Sequence, residues 1–319
     1  MSTLVFLEHE GDSIPKGALG VLSKAASLDP DTSAVVAGSG VGDLAAEAAR
    51  YGAAKVYVAD DPQLEAPLPQ PRVDVLSKLI TDKGFDNVLF GSSVLATDVA
   101  GGLSARLDAG LNWDLGEIEM NGGGLVGKQP ALDDSVIVDV GWKQGPRLAL
   151  IRSGSFEPSE SPAAGEVESV AVELQEFSSK AVLVSQDQEE AEGPSIEEAE
   201  ILVTGGRGLG DPEAFALLEE LAGALNGAVA STRAVVDSGW YPYATQIGQT
   251  GKTVTPKLYI GAGVSGAIQH KVGMQSSQVI VSINKDSNAP IFEFSNLGVV
   301  GDLHEIVPKL TELVKARKG

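Results

Sequence analysis

Short apolar runs alternate with helix-like segments along most of this chain, and this alternation constrains the fold more than any other feature. In the first half, Thr3–Leu7 and Ser33–Ala37 are apolar runs typical of buried strands, and apolar residues recur at helical spacing between them over Pro15–Leu28. Strands that alternate with helices of about ten residues form βαβ units, whose strands are parallel. The pattern therefore predicts an α/β fold with a mainly parallel sheet.

The alternation breaks after Trp113, where three strand-like runs follow one another without helices between them. These runs are Ser135–Val140, Leu148–Ile151 and Val167–Leu174. We expect them to form an antiparallel extension or an edge of the sheet. The first half is therefore predicted to be a parallel-sheet α/β domain with a strand extension.

An acidic stretch separates this half from a second alternating region. Residues 178–200 are rich in Glu, interrupted by Gly193-Pro194 and poor in aromatic residues, which is typical of a solvated linker. Further strands are predicted after it, at Ile201–Thr204, Leu258–Gly261, Val279–Ile283 and Ile291–Phe294. We therefore predict two domains, an N-terminal α/β domain over residues 1–190 and a C-terminal doubly wound domain over residues 191–319.

Charge and composition exclude several classes of function. The formal net charge of −21 gives a surface that repels phosphate backbones and anionic lipid, so nucleic acid is not an expected partner. No apolar run approaches the ~18 residues of a spanning helix, and we expect no membrane insertion and a bacterial cytoplasmic location. The three histidines, His9, His270 and His304, do not have metal-ligand spacing, and no cysteine is present, so no metal site is predicted.

The segment Gly261-Ala262-Gly263-Val264-Ser265-Gly266 has the G-x-G-x-x-G spacing, directly after a predicted strand and before a helical stretch. In that context backbone N–H groups approach a pyrophosphate, and the helix N-terminus adds positive potential. Asp286 lies about 20 positions on, where an acidic residue suits a ribose hydroxyl. This spacing predicts a dinucleotide site and leaves NAD and FAD both open.

Other chemistries fit the spacing poorly. Lys252 does not complete a GxxxxGK[ST] phosphate loop, and Gly263-Val264-Ser265 lacks the second glycine of a nucleophile elbow because Ala267 stands there. No convincing general base or nucleophile emerges, so no catalytic residue is predicted. An NAD-dependent Rossmann dehydrogenase is the main alternative, and a non-enzymatic nucleotide-binding sensor is the second.

Seven short motifs lie in order along the last third of the chain. They are Gly-Gly-Arg-Gly-Leu (205–209), Ser-Thr-Arg-Ala-Val-Val-Asp (231–237), Gln-Ile-Gly-Gln-Thr-Gly-Lys (246–252), Ser-Gly-Ala-Ile-Gln-His (265–270), Ile-Asn-Lys-Asp (283–286), Ala-Pro-Ile-Phe (289–292) and Gly-Val-Val-Gly-Asp-Leu (298–303). Together they resemble the α subunit of electron-transfer flavoprotein, the FixB family. The resemblance implies FAD as the cofactor of the C-terminal domain and an electron carrier rather than an enzyme.

The resemblance also implies the cofactor-binding residues. By position they are Arg207, Thr232, Arg233, Ile247, Gly248, Gln249, Thr250, Ser265, Gly266, Ala267, Ile268, Gln269, His270, Asn284, Asp302 and Leu303. Arg207 and the helix start at 265–270 are expected near the phosphates. Residues 232–233 and 247–250 are expected along the isoalloxazine ring, with the Thr250 hydroxyl near N5 and His270 reaching the N1/O2 edge. Asn284, Asp302 and Leu303 are expected toward the adenosine, in place of Asp286.

Partners follow from the same resemblance. It implies a heterodimer with a β subunit that binds AMP. The N-terminal domain of this chain would contact that β subunit. Electrons would arrive from acyl-CoA dehydrogenases and leave toward a membrane flavoprotein-quinone oxidoreductase. One departure from the family is Asn296-Leu297, which stands where Asp-Tyr is common, so any contact of that tyrosine at the adenosine end would be missing here.

Overall fold

The computed structural model describes residues 2–132, 136–185, 195–197 and 199–318, and the chain divides into two units, residues 1–186 and 187–319. The predicted boundary between residues 190 and 191 lies outside the described residues, as does part of the acidic stretch 178–200. That boundary stays a prediction.

The first unit is built on a parallel sheet of seven strands. Its helices and strands are β1 (Thr3–Leu7), α1 (Lys16–Leu28), β2 (Ser33–Gly38), α2 (Leu44–Arg50), β3 (Lys55–Asp60), α3 (Pro69–Lys83), β4 (Asn87–Gly91), α4 (Val94–Leu107), β5 (Leu111–Leu115), β6 (Glu117–Asn121), β7 (Gly124–Ala131), β8 (Val136–Val140), β9 (Arg147–Ile151) and β10 (Glu166–Ser169). The order across the sheet is β10-β3-β2-β1-β4-β9-β5, and every neighbouring pair is parallel.

Both faces of this sheet are buried, which explains the continuous apolar runs of its strands. In β1, Val5 and Leu7 pack into the core under α1 and α2. Leu4 and Phe6 point to the other core, under α3 and α4. The predicted α/β alternation is confirmed here.

The strand extension is made of different strands from those predicted. Strands β6, β7 and β8 form an antiparallel three-stranded sheet. The described part of the predicted strand Ser135–Val140 is β8. The placement of Leu148–Ile151 in the extension or at an edge was wrong, because these residues form β9 inside the parallel sheet, between β4 and β5. Its run of four buried residues is the pattern of a strand covered on both faces.

The predicted strand Val167–Leu174 is shorter than expected. Only β10 forms a ladder, parallel to β3 at the edge of the sheet. Val170, Val172 and Leu174 instead pack against the core under α3 and α4, so burial rather than strand pairing accounts for their apolar alternation.

The second unit is a parallel sheet of six strands. Its elements are β11 (Ile201–Gly205), α5 (Phe215–Leu225), β12 (Ala228–Thr232), α6 (Arg233–Val236), β13 (Gln246–Ile247), β14 (Leu258–Ala262), α7 (Ile268–Met274), β15 (Val279–Asn284), β16 (Leu297–Val300) and α8 (Leu303–Lys318). The order is β13-β12-β11-β14-β15-β16, with all neighbours parallel. One core lies on each face, so the doubly wound prediction is confirmed.

The predicted strand Ile291–Phe294 is wrong. These residues belong to a 3₁₀ helix, Pro290–Phe294, and the next strand along is β16. Pro290 starts the helical turn with a residue that lacks an N–H, and Ser295 donates its hydroxyl to the carbonyl of Ile291, 2.7 Å away. Across both units, no helix among the described residues is long and apolar enough to cross a membrane.

Candidate functional site

The topology of the second unit creates a crevice at one edge of its sheet. From β11 at the centre, the chain moves outward to β12 and β13, then crosses back to β14 and continues outward on the other side to β15 and β16. The loops after β11 and β14 therefore leave in opposite directions. Parallel sheets bind ligands at such a switch point, beyond the carboxyl ends of the strands.

A cavity of about 810 Å³ lies at this edge and is lined by residues that follow all six strands. With strands about 4.8 Å apart, five gaps make the row roughly 24 Å across. Ligand pockets in proteins span roughly 300–1,000 Å³. The cavity therefore suits a long ligand that extends across several strands.

Fourteen of the sixteen predicted cofactor-binding residues line this cavity. They are Arg207, Thr232, Arg233, Ile247, Gly248, Gln249, Thr250, Ser265, Ala267, Gln269, His270, Asn284, Asp302 and Leu303. Gly266 and Ile268 are not among the lining residues. Gly266 is buried against Ile291, and the side chain of Ile268 is 68% exposed.

The two central loops are held together by backbone hydrogen bonds. The Gly206 N–H donates to the Ala262 carbonyl at 3.0 Å, and the Gly208 N–H donates to the Gly263 carbonyl at the same distance. Arg207 lies between these glycines on an exposed turn that lines the cavity. The arrangement brings an arginine beside the glycine-rich loop that follows β14.

The β12–β13 end of the cavity holds a cation and a hydroxyl. Arg233 begins α6 and pairs with Asp237, its Nε lying 3.3 Å from the carboxylate. The Thr250 hydroxyl accepts a hydrogen bond of 3.2 Å from the Gln246 side chain. Arg233 and Thr250 are both exposed to the cavity, where they can contact a bound ligand.

The opposite end is formed by the loops after β15 and β16. The Asn284 side-chain amide donates to the Val264 carbonyl at 2.9 Å. Asp302 directly precedes α8, and its carboxylate accepts a hydrogen bond of 2.9 Å from the N–H of His304. Hydrogen bonds of Asn284 and Asp302, which both line the cavity, therefore hold the backbone at this end.

Several lining residues were missed by sequence reasoning. Lys285 and His304 line the cavity, and so does Asp286, which was set aside in favour of its neighbours. Asp237 and Pro290 line it as well. They could have been found by position, because each lies in the segment that follows the carboxyl end of β12, β15 or β16.

Comparisons with known proteins identify the family of this chain. The family described as "Electron transfer flavoprotein domain" matches residues 3–176, and "Electron transfer flavoprotein FAD-binding domain" matches residues 195–275. The chain is also 38% identical over 317 residues to the electron transfer flavoprotein subunit alpha of Mycobacterium leprae (strain TN), covering 99% of each chain. The chain belongs to the electron transfer flavoprotein α-subunit family.

Other organisms carry similar α subunits. The electron transfer flavoprotein subunit alpha of Bacillus subtilis (strain 168) is 39% identical over 291 residues, which cover 91% of this chain and 89% of that one. The mitochondrial subunit alpha of Oryza sativa subsp. indica is 36% identical, over 100% of this chain and 92% of its own. The FAD-binding domain of the family decides between the two cofactors that the glycine spacing left open, in favour of FAD.

The residues of this electron transfer flavoprotein subunit fit an FAD. Arg207, Arg233 and Lys285 bring cationic side chains to a cavity of sufficient size, which the glycine-rich loop residues 263–265 also line. Cations and backbone N–H groups are the groups that recognise a pyrophosphate. Within the described ranges, no cluster of three or more His, Asp or Glu side chains could hold a metal ion.

His270 lines the cavity, and its ring is almost fully buried. Its Nδ1 donates to the Ile247 carbonyl at 3.1 Å, and its Nε2 lies 2.8 Å from the Tyr259 hydroxyl. Burial lowers the pKa of His270 to about 4, against a smaller opposing effect of the Ile247 carbonyl. His270 is therefore neutral near pH 7, and both of its ring nitrogens contact protein groups. Its approach to the N1/O2 edge of the flavin stays a prediction.

The departure at Asn296-Leu297 lies away from the cavity. Leu297 begins β16 opposite Val281, at the amino end of the strand, whereas the cavity lies beyond the carboxyl ends. The Asn296 side chain accepts from the Ile280 N–H at 2.7 Å. Neither residue lines the cavity.

Proposed function

We propose that this chain binds FAD across the carboxyl edge of its C-terminal sheet, as the α subunit of a heterodimer whose β subunit binds AMP. It takes electrons from acyl-CoA and related dehydrogenases and delivers them to a membrane flavoprotein-quinone oxidoreductase. The expected bacterial cytoplasmic location stays a prediction.

The observation that carries this proposal is the order of the expected FAD contacts across the sheet. The isoalloxazine residues, 232–233 and 247–250, follow β12 and β13 at one end. The phosphate residues follow β11 and β14 at the centre, and the adenosine residues follow β15 and β16 at the other end. The strand order thus matches the order isoalloxazine, pyrophosphate and adenosine, and a single extended FAD fits this order.

The chemistry of the carrier belongs to the flavin, which accepts and returns electrons when bound. The chain orients it and sets its electrostatic surroundings. Arg233 offers a cation at the isoalloxazine end, and a fixed positive charge stabilises negative charge that develops nearby. The Thr250 hydroxyl at the same end can donate a hydrogen bond toward a ring nitrogen.

The β-subunit contact is supported by strand β8. Within the described part of the chain, β8 pairs with β7 on one side only. Val136, Ile137 and Val138 are exposed, Ile137 at 66%. An apolar strand with an unpaired edge is a template for pairing with another chain, and we place the β subunit there.

The visible spectrum of the chain purified with its β partner tests the proposal. We expect flavin absorption bands, one FAD per α subunit after extraction, and bleaching of the bands when an acyl-CoA dehydrogenase and its substrate are added. A complex without flavin bands contradicts the proposed site. A complex with FAD that no acyl-CoA dehydrogenase reduces contradicts the proposed donors alone.

A further inference from the structure

A fully buried tyrosine lies beneath the isoalloxazine end of the cavity. Tyr259 belongs to β14, has no exposed surface and places its hydroxyl 2.8 Å from the His270 Nε2. The Ile247 carbonyl can only accept, so the proton between it and His270 is on Nδ1. Since a neutral imidazole carries one proton, Nε2 is an acceptor, and Tyr259 is its donor.

The segment that follows Ile247 rests on helix α7 through several contacts. The His270 ring holds the Ile247 carbonyl, and the Gln249 N–H donates to the Gln269 carbonyl at 2.7 Å. Gly248 approaches the helix so closely that a Cβ on Gly273 would lie 2.4 Å from the Gly248 nitrogen. The polypeptide expected along the flavin is therefore fixed by α7, and His270 is the side chain through which α7 holds it.

We infer that Tyr259 is a positioning residue of the FAD site, which holds His270 in the Nδ1–H tautomer so that His270 in turn fixes the Ile247 carbonyl and the segment 247–250. The inference deepens the proposed function and rests on its placement of the isoalloxazine ring along that segment. Tyr259 itself does not line the cavity, so it acts only through its neighbour.

The buried hydrogen bonds that join Tyr259, His270 and Ile247 are stable in one tautomer of His270. Without the Tyr259 hydroxyl, the His270 Nε2 becomes an unpaired acceptor in a dry site. If the proton moved to Nε2, the bare Nδ1 would face the Ile247 carbonyl, and two acceptors would oppose each other. Burial raises the pKa of Tyr259 and lowers that of His270, so both groups are neutral near pH 7. Their hydrogen bonds therefore fix the position of the segment and add no charge to the site.

The tautomer can be measured on the wild-type protein. The chain has three histidines, so ¹⁵N-histidine labelling of the full α chain in its FAD-loaded complex gives three imidazole signals to assign. We expect the His270 proton on Nδ1, a bare Nε2, and no titration between about pH 5.5 and 8, the range where an ordinary histidine changes charge. A proton on Nε2, or titration within that range, overturns the inference.

A pair of matched variants tests the effect on the flavin. Tyr259→Phe removes only the hydroxyl, and we expect about tenfold weaker FAD binding, the size of effect that one unpaired buried acceptor has, with shifts in the flavin absorption maximum and midpoint potential. Tyr57→Phe removes the hydroxyl of another buried tyrosine, on β3 of the first unit, and should change none of these.

The outcomes separate positioning from simple structural support. A Tyr259→Phe protein that loses thermal stability but keeps the wild-type flavin spectrum and potential overturns the inference. If that variant does not fold, the His270 tautomer of the wild-type protein tests the inference: a proton on Nδ1 supports it and a proton on Nε2 overturns it. If the wild-type complex binds no FAD, the proposed function fails, while the tautomer measured on the flavin-free full chain still shows whether Tyr259 orients His270.

Discussion

Arg233 is the residue that we expect to tune the flavin potential by its charge. Its side chain lines the β12–β13 end of the cavity, where we propose the isoalloxazine ring, and forms an exposed ion pair with Asp237. We expect Arg233→Ala to lower the flavin midpoint potential by on the order of 50 mV, the equivalent of one charge–charge interaction near a protein surface. Arg233→Lys keeps the charge and should lower it less. Equal potentials in potentiometric titrations of all three proteins would remove Arg233 from this role.

His270 links stability to pH. Its folded-state pKa of about 4 lies below the ordinary 6.5, so its contribution is complete above pH 6.5 and is lost as the pH falls from 6.5 toward 4. The loss amounts to about 3 kcal/mol. Denaturant unfolding of wild type and His270→Gln across this range checks it, because the difference between the two proteins should shrink at low pH. A difference that does not vary with pH would contradict the buried neutral histidine.

At the scale of elements, Gly266 shapes the loop between β14 and α7 without lining the cavity. Its φ of +86° favours glycine, and a Cβ there would lie 2.2 Å from the Ile291 nitrogen. We expect Gly266→Ala to cost about 1–3 kcal/mol of stability and to reduce the FAD retained after gel filtration. Gly223→Ala is the matched control, because Gly223 lies in α5 with open space around it, and alanine there should be neutral or stabilising. Wild-type FAD content in Gly266→Ala would show that the loop tolerates rearrangement.

Strand β8 makes a separate prediction for subunit assembly. Ile137→Lys puts a charge on the exposed apolar edge, so we expect the β subunit no longer to co-purify, while the unfolding midpoint of the chain itself changes little. Leu313→Lys introduces the same charge at an exposed position of α8 in the other unit and should keep the partner. Retention of the β subunit by Ile137→Lys would place the interface elsewhere.

Local patterns in the sequence are enough to predict the two parallel sheets of the molecule. Continuous apolar runs such as Thr3–Leu7 are typical of strands buried on both faces, and β1 has the predicted bounds. The same reasoning failed at Leu148–Ile151, because a sequence does not show that three antiparallel strands intervene before the chain returns to the parallel sheet. It failed at Ile291–Phe294 because apolar residues in a short turn resemble a strand until their hydrogen bonds are known.

The candidate site was predictable to a different degree. The glycine spacing identified the loop after β14, and the motif resemblance brought in residues from the other five strands, which the fold gathers at one edge. The hydrogen bonds of His270 were not predictable, since they depend on Tyr259 and Ile247, which meet it only in three dimensions. Lys285 could have been found by position alone, as the residue directly after a strand of a parallel sheet, whereas Asp286 was found by the glycine spacing and then set aside.

A structure of the FAD-loaded complex tests the central claim most directly. We predict one FAD across the carboxyl edge of the second unit's sheet, with the isoalloxazine ring beside Arg233 and residues 247–250, and the adenine beside Asn284 and Asp302. The reverse orientation, or an FAD bound outside this cavity, would contradict it.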